Sequence, residues 1–333
     1  MIRRRWSVAA IALVCALGCE QKRKSPPSRP AARPSFDAAV DPPHIDREHP
    51  APSADPPQIS LVDPGRAPLT PIRFHHKVGV RDRVAVTLRI AAKHQVQGAA
   101  TPALKMPAFR LVIDIEVLEL FDDHAARYRF EVSKAEITND NGVDALVLST
   151  TRADLAKTVG MSGTGLVDRR GLRRDTELEL PADASDQWKQ MLAAIKTSLD
   201  YLSSPFPHEA IGVGARWEHY QTLTQNGMQV RQTTVFELTE LSKQQGKLRA
   251  TIKQSADRQT AYLPGLPMGV EAELVALSST GSSEIHFDLS HEAPLRASID
   301  LQTDSSFSIK TGGAQQSLEL QADVGMVIES ETR

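Results

Sequence analysis

Several groups of residues have types and spacings that chemistry could use. His286, Asp288 and His291 stand close together; on a strand His286 and Asp288 share a face, and a turn could return His291 toward them as a third zinc-type donor. The simpler expectation is a polar strand face followed by a turn, so no metal site is predicted. His75 and His76 are adjacent, and on a strand they would point to opposite faces, which argues against joint chelation. Gly160-Met161-Ser162-Gly163-Thr164-Gly165 is close in letters to a nucleophile elbow or a phosphate loop. It lacks the Gly-x-Ser-x-Gly order, the lysine and the following helix that those devices need, so a strand edge or turn is expected. Carboxylates pair at Asp114/Glu116, Glu177/Glu179 and Glu271/Glu273, alternating with apolar residues as a solvated sheet face does. Arg169, Arg170, Arg173 and Arg174 lie between Asp168 and Asp175 and read as a hairpin turn. These four are also the candidate contacts for an anionic group or lipid headgroup, at about 1 kcal/mol each. The residues thus predict no catalytic centre and no cofactor.

The elements that must carry these residues are bounded by composition. The chain has 333 residues, 41 % hydrophobic and 24 % charged, with a formal net charge of −2. That apolar share exceeds what a fully disordered chain carries. The slightly acidic balance argues against a nucleic-acid partner. Both cysteines, Cys15 and Cys19, fall at the start, so no disulfide framework can hold the rest.

The start reads as an address. Arg3, Arg4 and Arg5 precede an apolar run from Trp6 to Leu17, which is followed by Gly18-Cys19 and a polar stretch. A helix of twelve residues is roughly 18 Å long, too short for a ~30 Å hydrocarbon core, and fits a signal peptide's apolar region at 1–18. Ala16-Leu17-Gly18-Cys19 resembles the lipobox of bacterial lipoproteins. The resemblance implies lipidation of the Cys19 thiol with diacylglycerol, cleavage before it, and acylation (palmitate) of the new N-terminus. Glu20 stands where an aspartate would mark inner-membrane retention in enteric bacteria, which implies a lipid anchor in the outer membrane, at its periplasmic face or the cell surface. Several acyl chains hold a membrane stably, whereas one does so only marginally. The mature charge becomes 36 − 41 = −5 once the three signal arginines are removed.

Residues 19–71 are expected to form a disordered, proline-stiffened tether. Positions 20–71 hold 13 of the 21 prolines, with Phe36 the only aromatic and no apolar period. From Ile72 the texture changes to period-two runs, including 83–90, 111–117, 128–132, 229–241, 247–253, 270–277, 284–289, 295–301 and 316–329. Turn residues such as Asn139-Asp140-Asn141-Gly142 and Asn226-Gly227 separate them. One stretch has a helical period: Trp188, Met191, Leu192, Ile195, Leu199 and Leu202 predict an amphipathic helix at about 184–203, stopped by Pro205 and Pro207 and packed on a sheet face. The predicted fold class is mainly β, two curved antiparallel meanders in residues 72–333. Matching runs suggest an internal duplication of 72–180 and 208–330, pairing 78–84 with 211–217, 114–120 with 235–241, 128–132 with 248–252, and 163–166 with 281–284. A longer loop around Gln95 to Pro107 would absorb the drift in offset.

Pro205-Phe206-Pro207, Gly212-Val213-Gly214-Ala215-Arg216-Trp217 and the glycine-rich strand-turn-strand at 163–178 look like an uncharacterised family of β-rich bacterial lipoproteins. That likeness implies the fold alone. A more distant likeness is to half-barrel carriers, in which a curved sheet holds acyl chains against a helix. The expected role is therefore a non-enzymatic binding or structural module of the cell envelope, contacting a protein, glycan or lipid; the alternative is a carrier of lipid or lipoprotein acyl chains.

Overall fold

Period-two alternation governs the described strands, because a strand sends successive side chains to opposite faces and only one face here is apolar. The computed structural model describes residues 57–100, 104–140, 142–179, 204–225, 228–261, 263, 270–311 and 314–331. In chain order the elements are β1 (Gln58–Asp63), β2 (Arg81–Val96), β3 (Ala99–Ala100), β4 (Leu104–Lys105), β5 (Ala108–Leu120), β6 (Ala126–Asn139), α1 (Ala145–Thr158), β7 (Ser162–Val167), β8 (Arg173–Glu179), β9 (Arg216–Gln225), β10 (Met228–Ser242), β11 (Gln245–Ala256), β12 (Gln259–Ala261), β13 (Glu271–Asp288), β14 (Arg296–Thr311) and β15 (Ala314–Ser330). They form one open antiparallel sheet in the order β1-β9-β10-β11-β13-β14-β15-β2-β5-β6-β7-β8, with β12 beside β13, and β3 and β4 beside β2.

The fold is mainly β, as the alternation predicts. The two meanders belong to one sheet, because β15 pairs with β2 from Leu318↔Val96 to Ser330↔Val84. The expected tether ends earlier than residue 71. Ile59 and Leu61 alternate inward within β1, which pairs with β9 at Leu61↔Trp217, and Thr70 bridges Ile211. The helix expected at about 184–203, the signal segment and Cys19 lie outside the described residues. The described helix is α1, which the alternation did not announce. Its N-cap is Asp144, whose carboxylate accepts from Leu146 N at 2.8 Å. Its buried residues are Thr151, Leu155 and Thr158, too polar a stripe to read as an amphipathic period.

The register carries the duplication. In β2–β5, Arg81 faces Glu116; in β9–β10, Arg216 faces Glu237. The next strands repeat a bulge at the same place, between Val117 and Glu119 and between Leu238 and Glu240. The turns before the two meanders repeat their hydrogen bonds. Gly79 N donates to Val117 O at 2.8 Å, and Val117 N to Val80 O at 3.0 Å. Gly214 N donates to Leu238 O at 2.7 Å, and Leu238 N to Ala215 O at 3.0 Å. Both glycines sit at positive φ, +83° and +89°, where a side chain would strain the turn. Gly79 therefore matches Gly214 and Arg81 matches Arg216, two residues from the pairing suggested by the letters. Likewise Gly163 matches Ser283 rather than Gly281, since Phe130↔Gly163 corresponds to Ala250↔Ser283. The pairings at β5/β10 and β6/β11 stand as expected. A slip of two residues keeps every side chain on its face, so alternation could not detect it. The extra length in the first repeat falls between Leu88 and Phe109, which match Leu223 and Val230 in the second.

The inner face holds two apolar clusters. The larger draws on both ends of the sheet, with Tyr128 and Phe130 joining Trp217, Phe236, Leu238 and Phe287. The smaller gathers Leu223, Val230, Leu274, Phe307 and Leu318 of the second repeat, with Val96 of β2 packed against them. Phe206 plugs the first: its ring lies 5.8 Å from Phe74, 5.8 Å from Trp217 and 5.2 Å from Phe287. The indole of Trp217 donates to Pro205 O at 2.8 Å, which fixes the strap carrying Phe206.

Candidate functional site

The densest gathering of chemically capable side chains lies where the strap Ile72–Asp82 meets the equivalent turns of the two repeats. Each turn is built by an aspartate. Asp168 Oδ1 accepts from Arg170 N (2.8 Å) and Leu172 N (2.9 Å), and Asp168 O accepts from Gly171 N (2.9 Å). Asp288 Oδ1 accepts from Ser290 N (2.9 Å), and Asp288 O from His291 N (3.1 Å). Short carboxylates accepting from the backbone two residues on are the usual makers of such turns. The strap pins both: Phe74 N donates to Arg169 O at 2.7 Å and His75 N to Leu289 O at 2.6 Å. Adjacent N–H groups of an extended chain point opposite ways, so one dipeptide can hold a turn on each side.

Buried ionisable groups complete the joint. His76 Nδ1 meets the Glu292 carboxylate, and its Nε2 donates to Asp168 O at 3.2 Å, beneath a stacked Phe74 ring. Burial opposes protonation of His76. The hydrogen bond and charge of Glu292, helped by Asp168, outweigh that and raise its pKa above the ordinary 6.5. Asp82, 8 % exposed, takes His291 Nδ1 on one oxygen at 2.5 Å. Its other oxygen accepts Glu292 N at 2.8 Å and Ala293 N at 3.2 Å. Arg173 donates to Glu292 O at 2.9 Å and lies 4.9 Å over the Tyr128 ring. A cavity of about 20 Å³ adjoins it, lined by Arg173, Tyr128, Val84, Ile115, Pro294 and Ile328. That volume holds one water molecule. The Tyr128 hydroxyl is buried without a hydrogen-bond partner.

The four arginines of the basic turn are sent in different directions. Arg170 turns back to Asp168 at 3.3 Å, Arg173 faces inward, and exposed Arg174 approaches Asp123 at 3.9 Å. Arg169 and Arg170 stand near Arg73; burial first, then their charges, lower the Arg73 pKa. Arg73 donates to Ile72 O, Pro207 O and His208 O at 2.6, 3.0 and 2.6 Å. His286, Asp288 and His291 do not converge. His286 bonds Glu284 at 2.8 Å, Asp288 bonds Gln245 at 2.8 Å, and His291 goes to Asp82. Among the described residues no three His, Cys, Asp or Glu side chains are grouped as a metal site. Asp114 and Glu116 pair with Arg83 (2.6 Å) and Arg81 (2.9 Å) on the outer face.

The glycine-rich run has a packing explanation. Gly163 and Gly165 face Phe130 and Tyr128 across the β6–β7 ladder. A Cβ at Gly163 would meet the Phe130 ring at 2.7 Å, and one at Gly165 the Tyr128 hydroxyl at 2.5 Å. These glycines seat the aromatic rings. Asp82 and Glu292 escaped the sequence reading, and His76 entered it only beside His75, because their partners are 209 to 216 positions away. The only local signal was the extra polar residue at Asp82 beside an apolar run.

No family model matches this chain, and no curated protein matches it. Among the described residues no helix is long and apolar enough to cross a membrane.

Proposed function

We propose that this chain is a lipid-anchored protein of the cell envelope whose folded part acts as a non-enzymatic binding or structural module. The observation that supports the module is the joint itself. His76, Asp82, Glu292, His291 and Arg173 are each held by another group of the protein and tie the two repeats together. Among the described residues the open sheet ends in β1 and β8, whose outer edges pair with no further strand. The anchor rests on the lipobox-like sequence at Cys19. A Cys19→Ala variant is expected to lose palmitate labelling and membrane fractionation; unchanged membrane retention would sink the anchor.

A second reading, acyl-chain carriage, draws on one observation. Leu88, Ile90, Leu301, Val324 and Met326 are only half-buried on the inner face between the two apolar clusters. Mass spectrometry of lipids co-purified with the full chain tests it: stoichiometric acyl lipid promotes carriage, and its absence from protein prepared in native membranes removes it.

A further inference from the structure

The two repeats differ in what covers their equivalent turns. In the second, residues 63–68 lie across Gly212–Ala215. Gly212 N donates to Pro64 O at 2.9 Å, and Arg66 N donates to Val213 O at 2.9 Å. Gly65 is so close that a Cβ would meet Ala215 N and Gly212 O at 2.5 Å each. Asp63 stands 4.0 Å from Arg216. Among the described residues no such segment covers the matching turn of the first repeat, Lys77–Val80. A Cβ on Gly79 would find nothing within 4 Å, and Val78 is 60 % exposed.

The surface beside the uncovered turn is apolar. Leu118 and Leu120, each 41 % exposed, follow Val117, which bonds both Gly79 and Val80. Their matches are Thr239, whose hydroxyl donates to Lys247 O at 3.2 Å, and Leu241, which packs on the core. Apolar residues thus stand in solvent at the one of the two turns without a covering segment, where a folded chain gains nothing from them. Arg81, 58 % exposed at its side chain, takes the place of Arg216, which Asp63 approaches in the other repeat; it already pairs with Glu116 at 2.9 Å, so a partner's acid would join that pair.

We propose that the Lys77–Val80 turn, with Leu118, Leu120 and Arg81, is a docking surface for an extended Asp-Pro-Gly-type segment of a partner protein. The partner segment is held as residues 63–68 are held on the second repeat: backbone hydrogen bonds at Lys77 and Val78, an apolar flank on Val78 and Leu118, and its acid toward Arg81. The inference rests on the binding-module reading but is independent of the lipid anchor.

The probe is a synthetic peptide of residues Leu61 to Leu69 bearing a photoreactive group, added to the full chain in detergent micelles. Cross-links mapped by mass spectrometry are expected within 77–81 and 116–121. Labelling should fall about tenfold in Val78→Asp and in Leu118→Asp, with folding checked by circular dichroism, and stay unchanged in Val62→Asp on edge strand β1. A peptide carrying Asp63→Lys should label as weakly as those variants, a result that requires no change in the protein. Labelling that is absent, that falls elsewhere, or that is indifferent both to Val78→Asp and to the peptide's acid overturns the docking surface. Envelope partners still captured by the Val78→Asp protein would then leave the binding-module reading standing.

Discussion

Trp217 and Asp82 occupy the same place in two copies of one five-strand meander, each following the arginine that opens the first strand. Trp217 is fully buried among Phe206 and Phe236, whereas Asp82 is buried as a carboxylate that anchors a turn of the other repeat. One backbone geometry thus serves opposite chemistries. The second repeat builds the apolar plug, and the first builds the polar latch that closes on it. A second contrast has the same lesson. Between β6 and β7 the first repeat forms α1, while over the matching positions the second is already extended in β13, from Glu271. The capping Asp144 and the lack of alternation decide for helix in one, and the period-two run from Val270 decides for strand in the other.

The sharpest way to break the comparison is at the matched pair itself. Trp217→Ala should cost about 4 kcal/mol, since a large ring leaves a cavity in a packed cluster. Asp82→Asn should cost about 2 kcal/mol, because one charge-assisted acceptor of the latch is lost while the shape is kept. Urea unfolding of both variants checks the order; an equal or reversed pair would show that the latch and the plug are not as distinct as their chemistry. A second pair concerns the turns. Gly212→Ala, whose Cβ would lie 2.0 Å from Arg66 O, should destabilise by about 3 kcal/mol. Lys77→Ala at the matching, uncovered position should leave the unfolding midpoint where it is.

Two histidines sharpen the contrast through pH. Burial on the second repeat lowers the His219 pKa from 6.5 to about 4. The unfolded chain then takes up this proton first as pH falls, so stability declines between pH 6.5 and about 4, by up to about 3 kcal/mol. His219→Gln should flatten that acid limb of the urea midpoint. At the latch the direction is opposite. Because the folded pKa of His76 is raised above 6.5, its contribution is complete below 6.5 and is lost as pH rises through the folded value. His76→Gln should lower stability near pH 6 and remove the alkaline decline, and a wild-type midpoint flat above pH 6.5 would contradict the latch assignment. The smallest effect is expected at Arg174 and its match Arg296, whose carboxylate partners stand 3.9 Å away in both repeats at exposed positions. Alanine at either should not move the unfolding midpoint measurably, because exposed ion pairs are screened by water.

Residue periodicity by itself determined that the folded part is antiparallel β with one solvated face, and roughly where most strands run, because alternation is a local property of four to eight residues. It also pointed to a likeness between the two halves that the strand register follows, though two of four pairings slipped by two residues, a shift that alternation cannot detect. Other features only the tertiary structure decided. The strand β15 that joins the repeats, the β1 strand inside a proline-rich stretch and the His76–Glu292 and Asp82–His291 contacts all link positions far apart in the chain. The basic turn illustrates the limit: close in sequence, Arg170, Arg173 and Arg174 part toward Asp168, Glu292 and Asp123. Local sequence encodes which face a side chain takes, whereas its partner is chosen by whichever distant segment the folded chain brings across that face.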